Sequence, residues 1–289
     1  MKKIAVVSGK GGTGKTMVTA GLAGIVKSDL SLADCDVEAS NFELLYPGEL
    51  LSKEDFHGLD ISVIDTEKCV QCGACLENCR FGAVEIKEDQ YSVRPLLCEG
   101  CGVCDYVCPS GAISMKKRLS GEIFCSATEA GPLAHARLEP GSGNSGLLVN
   151  EVKKRAARWT NISEVLLIDG PPGTGCPLIS TVSGMGAVLA VTEPSISGLS
   201  DLSRLVEVCK GFRLRIFVVI NRYDLEESVS HEIEEFCRSE ELVIVGKIPF
   251  DPSVISAIRK NMPVTMLECP ASDAIKEIWE NLSKELDVS

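Results

Sequence analysis

One stretch near the start of the chain restricts its fold more than any other. An apolar strand pattern, Lys3 to Ser8, runs directly into GKGGTGKT, Gly9 to Thr16, and then into a helical stretch from Lys15 to about Val26. The loop satisfies G-x-x-x-x-G-K-[ST] in the context that gives the motif meaning, after a buried strand and before a helix. Gly9, Gly11, Gly12 and Gly14 allow the backbone to curl so that successive N–H groups converge on phosphate oxygens. The helix N-terminus adds positive potential at the same point. Gly11, Gly12, Thr13, Gly14, Lys15 and Thr16 are the candidate phosphate-binding residues. Lys15 is placed for the β/γ-phosphates and Thr16 for Mg²⁺. Strand, loop and helix recur along the chain, and such alternation predicts an α/β fold: a doubly wound, mostly parallel sheet with the nucleotide at the carboxyl edge of the strands.

The second constraint is a duplication. Cys69, Cys72, Cys75 and Cys79 have the spacing C-x2-C-x2-C-x3-C, and Cys98, Cys101, Cys104 and Cys108 repeat it 29 residues later. Gly73 with Gly102, Gly82 with Gly111, Ala83 with Ala112 and Val84 with Ile113 share the offset. This resembles the bacterial-type ferredoxin pattern, in which three cysteines of a row hold one [4Fe–4S] cluster and the fourth reaches the other. The resemblance implies one cluster on Cys69, Cys72, Cys75 and Cys108, and a second on Cys98, Cys101, Cys104 and Cys79. Structural zinc rarely takes three cysteines in a C-x2-C-x2-C row, and disulfides need an oxidising compartment. The halves differ in one visible way: Pro109 follows the last cysteine of the second, whereas Arg80 holds that place in the first.

Lys10 adds a second lysine to the phosphate loop, and with it the loop resembles that of MinD/ParA/Mrp-like ATPases (the deviant Walker A group) and the nitrogenase iron protein. Other segments fit the same resemblance. Leu30 to Asp36 looks like a second strand ending in the acidic pair Asp34 and Asp36; Val165 to Ile168 ends at Asp169 and the IDGPPGTG run; Ala187 to Thr192 leads into EPS; Ile216 to Ile220 leads into NRYD. The resemblance implies an ATPase domain at 1–60 and 119–289, with a small α+β two-cluster ferredoxin-like domain inserted at 61–118. It also implies roles: Asp36 polarises the attacking water, Asp169 holds the metal's water shell, and Gly173 presents an N–H near the γ-phosphate. Asn221 contacts the base, and Lys10 crosses a homodimer interface to the partner's nucleotide. Asn221-Arg-Tyr-Asp224 also fits the guanine-reading N-K-x-D with Arg for Lys, which leaves GTP as an alternative. Gly141, Gly143 and Gly146 match G-x-G-x-x-G but read better as a turn with Ser145 as helix cap.

Composition narrows the function. Net charge is −12, which argues against a broad nucleic-acid-binding surface, and no apolar run is long enough to span a bilayer. The short basic runs Lys116–Arg118 and Lys153–Arg155 read as solvated faces. With 14 cysteines and no secretory leader pattern, a cytoplasmic location with metal-ligating thiols is expected. The remaining cysteines read as small buried hydrophobes, with redox sensing or metal ligation as a second reading for Cys35, inside the acidic pair, and Cys176, after the IDGPPGTG run. The expected function is ATP hydrolysis in a nucleotide-dependent homodimer, coupled to electron transfer through two clusters toward a redox partner. The alternative is an ATPase that assembles or delivers iron–sulfur or other metal cofactors. A positioning role fits the acidic charge poorly.

Overall fold

The computed structural model describes residues 2–26, 30–159 and 163–287. In chain order the first elements are β1 (Lys2–Ser8), α1 (Lys15–Val26), β2 (Leu30–Asp34), α2 (Phe42–Leu45) and β3 (Gly48–His57). The cysteine region holds β4 (Ile61–Ile64), α3 (Ala74–Asn78), β5 (Val84–Lys87), β6 (Gln90–Val93), α4 (Val103–Tyr106) and β7 (Ile113–Lys116). Then come β8 (Leu119–Thr128), β9 (Gly131–Leu138), α5 (Ser145–Ala156), β10 (Val165–Pro172), α6 (Cys176–Val182) and β11 (Ala187–Thr192). The chain closes with α7 (Ile196–Gly211), β12 (Arg215–Asn221), α8 (Glu227–Ser239), β13 (Val243–Ile248), α9 (Pro252–Arg259) and α10 (Pro270–Leu286). Two compact units result, one of residues 1–53, 123–137 and 145–289, the other of 54–122 and 138–144.

The larger sheet has the strand order β13-β12-β11-β1-β10-β2-β9-β8-β3. Pairs from β13 through to β9 are parallel. Ile4 to Val7, Val165 to Ile168 and Ala187 to Val191 are buried without alternation, as expected of parallel strands covered on both faces. Leu22 on α1 and Ile275, Ile278 and Leu282 on α10 pack in one core with Ile4, Val6, Leu167 and Leu189. Each fully buried side chain of that size contributes about 1.5–3 kcal/mol. The strand order reverses beside β1, so the loop after β1 opens at the switch point of the sheet.

Three elements depart from the sequence reading. Residues 41–65, to which the sequence reading assigns no element, form α2, β3 and β4. Strand β2 stops at Asp34, two residues short of Asp36, because Asp34 turns inward and the chain bends around it. Ser145 is the first residue of α5, not its cap; Asn144 before it has φ 74°. A fourth departure concerns Lys153, read as solvated. Its Nζ donates to the carbonyls of Ser180 (2.6 Å), Thr181 (2.9 Å) and Ser183 (2.6 Å), closing the end of α6. Lys153→Ala strands those carbonyls and should cost about 1–3 kcal/mol in denaturant unfolding. An unchanged midpoint would show that water replaces the ammonium without loss.

The smaller unit displays the duplication in its backbone. β4 and β6 start at Ile61 and Gln90, β5 and β7 at Val84 and Ile113, and α3 and α4 at Ala74 and Val103; each pair is separated by the 29-residue repeat. Pairing crosses between the halves: β4 with β7, and β5 with β6, both antiparallel. The β5–β6 turn is Glu88-Asp89, with φ of 52° and 58°, the left-handed pair that a two-residue hairpin requires.

Candidate nucleotide site and cysteine cavities

The phosphate loop is built by glycines where a side chain would clash or strain the backbone. At Gly14, with φ 92°, a Cβ would lie 2.3 Å from Asn221 Nδ2. Gly12, with φ 82°, has open space above it. Asn221, at the end of β12, donates from Nδ2 to the carbonyl of Thr13 at 2.7 Å and is buried. It therefore braces the loop as well as standing where a base contact was expected. Thr13 Oγ1 is buried and has no hydrogen-bond partner. Asp224 accepts from the Phe250 N–H at 2.7 Å through Oδ1.

Lys15, Thr16, Asp36 and Asp169 converge. Lys15 Nζ lies 3.5 Å from Asp36 Oδ2 and 3.7 Å from Asp169 Oδ2. Asp169 Oδ2 accepts from Thr16 Oγ1 at 2.7 Å, and Oδ1 accepts from Thr19 Oγ1 at 2.8 Å. The register of β10 against β2 sets Asp169 beside Asp34, and β1 carries an irregularity between Val6 and Ser8 opposite this point. Burial raises the Asp169 carboxyl above the usual range, against Lys15, Thr16 and Thr19. Asp34 is pushed up to about 7, by burial first and by Asp169 second. Its oxygens accept from the N–H groups of Asp36, Asn41 and Phe42 and from Ser40 Oγ. Asp34 thus organises the loop that carries Asp36. Thr16 and the carboxylates form a set of hard oxygen donors beside the phosphate loop, suited to Mg²⁺ with one or two protein oxygens and the rest from phosphate and water, and Lys15 adds a cation for the phosphates.

Two expected residues are engaged elsewhere. The Gly173 N–H, expected to face the γ-phosphate, donates to the Ser8 carbonyl at 2.9 Å, since the turn after β10 lies against the end of β1. Lys10 Nζ is held by its own chain: Glu193 Oε1 at 2.8 Å, Ser197 Oγ at 2.9 Å and Ser195 Oγ at 3.0 Å. Glu193 also pairs with Arg222 Nη1 at 3.2 Å, and Arg222 Nη2 reaches the Gly12 carbonyl at 3.4 Å. Glu193 and Ser197 were given no role from sequence, though the EPS run after β11 was a signal, and Arg222 was noted only as the Arg of NRYD. Cys35 is fully buried, and burial pushes its thiol well above the usual range, so it is poorly suited to redox sensing. Cys176 is exposed, contrary to expectation, at the first position of α6.

In the smaller unit the eight motif cysteines surround two cavities. One is lined by Cys69, Cys72, Cys75 and Cys108. The other is lined by Cys79, Cys98, Cys101 and Cys104. Each takes three cysteines from one motif and the last from the other, the same partition as the ferredoxin resemblance implies. Among the described residues, no three His, Cys, Asp or Glu side chains converge on a single-ion position. A four-iron cube spreads its sulfur ligands more widely than one ion does, so the grouping of four cysteines, not convergence on a point, is the relevant fit. The donors match in chemistry: soft thiolates, with the Ala83 N–H on Cys79 Sγ and the Ala112 N–H on Cys108 Sγ, both at 3.3 Å. Burial opposes ionisation of these two cysteines, but neighbouring N–H groups, with the Ser110 hydroxyl at Cys108, outweigh it and lower both thiols.

No helix among the described residues is long and apolar enough to cross a membrane. The chain is 34% identical to uncharacterized protein MJ0578 of Methanocaldococcus jannaschii, over 98% of this chain and 96% of that one. It is 24% identical to the iron–sulfur cluster carrier protein of the same organism, over 43% of this chain and 47% of the relative. The septum site-determining protein MinD of Pyrococcus horikoshii, solved with Mg-ADP, shares the fold, with a TM-score of 0.60 at 19% identity over 99% and 98% of the two chains. The profile of the CbiA family, the CobQ/CobB/MinD/ParA nucleotide binding domain, matches residues 4–264. The larger unit therefore has a MinD/ParA-like P-loop fold, and the chain belongs to the CobQ/CobB/MinD/ParA nucleotide-binding family.

Proposed function

We propose that this protein is an ATPase that works as a nucleotide-dependent homodimer and couples hydrolysis to electron transfer through two [4Fe–4S] clusters. The observation that carries this reading is the presence in one chain of the Lys15–Thr16–Asp169 phosphate site and two four-cysteine cavities. Lys15 exchanges the carboxylates of Asp36 and Asp169 for the β/γ-phosphates. Thr16 would ligate Mg²⁺, with Asp169 holding its water shell. Asp36, released by Lys15, orients and polarises the attacking water. The Gly173 N–H leaves the Ser8 carbonyl to meet the γ-phosphate, a movement its left-handed backbone permits. Cys69, Cys72, Cys75 and Cys108 would hold one cluster and Cys79, Cys98, Cys101 and Cys104 the other; each would supply one-electron chemistry.

Lys10 supplies the link to dimerisation. Its bonds to Glu193, Ser195 and Ser197 must open before it can reach a partner's phosphates. Lys10→Ala is expected to bind ATP yet lose ATP-dependent dimerisation and most hydrolysis, with little change in stability because the ion pair is partly exposed. Wild-type dimerisation and turnover in that variant would leave the loop a phosphate cradle acting within one chain.

The test of coupling is a redox titration without nucleotide, with ADP and with a non-hydrolysable ATP analogue. Linkage requires that a nucleotide-dependent shift in potential be matched by a reduction-dependent shift in nucleotide affinity, about 1–3 kcal/mol for coupled sites. Three superimposable curves would defeat energetic coupling. The part-length likeness to an iron–sulfur cluster carrier supports a second reading, delivery of clusters to client proteins. Transfer of labile iron and sulfide to an apo-protein, with no potential shift, would favour it.

A further inference from the structure

The two cysteine cavities differ at one buried hydroxyl. Ser62, on β4, is 3% exposed, and its Oγ lies 2.9 Å from Cys104 Sγ, with Met115 Sδ at 3.4 Å and Cys98 Sγ at 3.9 Å. Ser62 lines the cavity of Cys79, Cys98, Cys101 and Cys104. The 29-residue repeat that relates β4 to β6 puts Tyr91 in the equivalent place, and Tyr91 lines the other cavity. That cavity has hydroxyls of its own on Tyr91 and Ser110, both partly exposed, and Ser110 Oγ lies 3.7 Å from Cys108 Sγ. Phe81 occupies the matching position in the first half.

We infer that Ser62 is a positioning residue for electron storage, donating a hydrogen bond to the Cys104 sulfur and raising the reduction potential of the cluster on that side. This rests on the cluster reading above. The chemistry fixes the donor. A Cys104 thiolate bound to iron carries no proton, so the only hydrogen between the two atoms is that of the serine. One-electron reduction adds negative charge to the cluster and its sulfur ligands, and a donor aimed at one of them favours the reduced state. Burial keeps water from taking the place of the hydroxyl, and of the three sulfurs around it Cys104 Sγ at 2.9 Å is nearer than Met115 Sδ at 3.4 Å or Cys98 Sγ at 3.9 Å. Ser110, farther off and wetter, has a weaker claim on Cys108. Glu99 lines the Ser62 cavity and its charge acts in the opposite direction, so the informative comparison removes the hydroxyl and nothing else.

Anaerobically purified full-length protein is titrated with dithionite and followed by electron paramagnetic resonance, beside Ser62→Ala, Ser62→Thr, Ser62→Val and Ser110→Ala, with iron and sulfide measured for each. Ser62→Ala is expected to move one of the two reduction waves down by about tenfold in equilibrium constant, ~59 mV for a one-electron couple. Ser62→Thr keeps the hydroxyl and should stay near wild type. Ser62→Val matches threonine in shape without the donor, so it separates the bond from packing if alanine weakens cluster retention. Ser110→Ala should move the other wave, and by less. Fully loaded Ser62→Ala and Ser62→Val with unmoved waves would overturn this inference alone, as would the two serine-to-alanine variants shifting the same wave. Wild-type protein lacking sulfide would overturn the cluster reading itself, and this inference with it.

Discussion

Lys15→Ala is expected to reduce ATP hydrolysis by several orders of magnitude, the largest effect of any single change in the larger unit. Phosphoryl transfer asks the protein mainly for position and for charge to meet charge. Lys15 is the buried cation of this site, 6% exposed, within 3.7 Å of Asp169 and 3.5 Å of Asp36. Its loss has a second consequence. Burial already raises the Asp169 carboxyl, and the Lys15 charge opposes that rise. Without the lysine the folded-state value climbs further above the unfolded one. An acid so shifted takes stability away as pH rises through the interval between the two values, because the folded form increasingly retains a proton that the unfolded form has released. Lys15→Ala should therefore lose more stability at pH 8 than at pH 5 relative to wild type, as read from chemical unfolding. Steady-state turnover within tenfold of wild type would mean that another cation meets the γ-phosphate.

Cys108→Ala should remove one cluster and leave its neighbour. Wild-type protein is expected to carry about eight iron and eight sulfide per chain, from two four-iron clusters. Cys108 belongs to the second motif by sequence, yet it shares its cavity with Cys69, Cys72 and Cys75. Its loss is therefore expected to lower iron to about four per chain and to abolish the signal that Cys72→Ala also abolishes. Cys79→Ala should pair in the same manner with Cys101→Ala. The measurement is metal and sulfide analysis with resonance spectra of the four variants. If Cys108→Ala and Cys101→Ala lost the same cluster, each motif would be ligating its own and the crossed partition would be wrong.

The parts of this fold legible in sequence are those whose cause is local. Helix α1 begins at Lys15 and ends at Val26 as the glycine loop and apolar run require, and β11 spans Ala187–Thr192 as its uninterrupted apolar run suggests. β3 escaped notice because GELLSKEDFH is mostly exposed and carries charge at Lys53, Glu54 and Asp55, the dress of a sheet edge rather than of a core strand. Lys153 was misread because three carbonyls at the end of a different helix determine its role, and no pattern within α5 reveals them. The partners of Lys10 lie more than 180 residues away, beyond any periodicity; only the chain's return along β11 brings Glu193 to it. Asp34 and Asp36 look alike in sequence as an acidic pair, but Asp34 is fully buried and accepts from the loop that carries Asp36, a difference set by contacts that no spacing shows.

The crossed pairing of β4 with β7 and of β5 with β6 bears on how the smaller unit is made. Neither 29-residue half contains a strand pair of its own, so neither can close a sheet until the other has been synthesised. The halves are interlocked like clasped hands rather than strung like beads. Ordering this region is consequently a single event that waits for Lys116 to leave the ribosome, and a chain interrupted between Asp89 and Gln90 would present two open edges instead of half a working module.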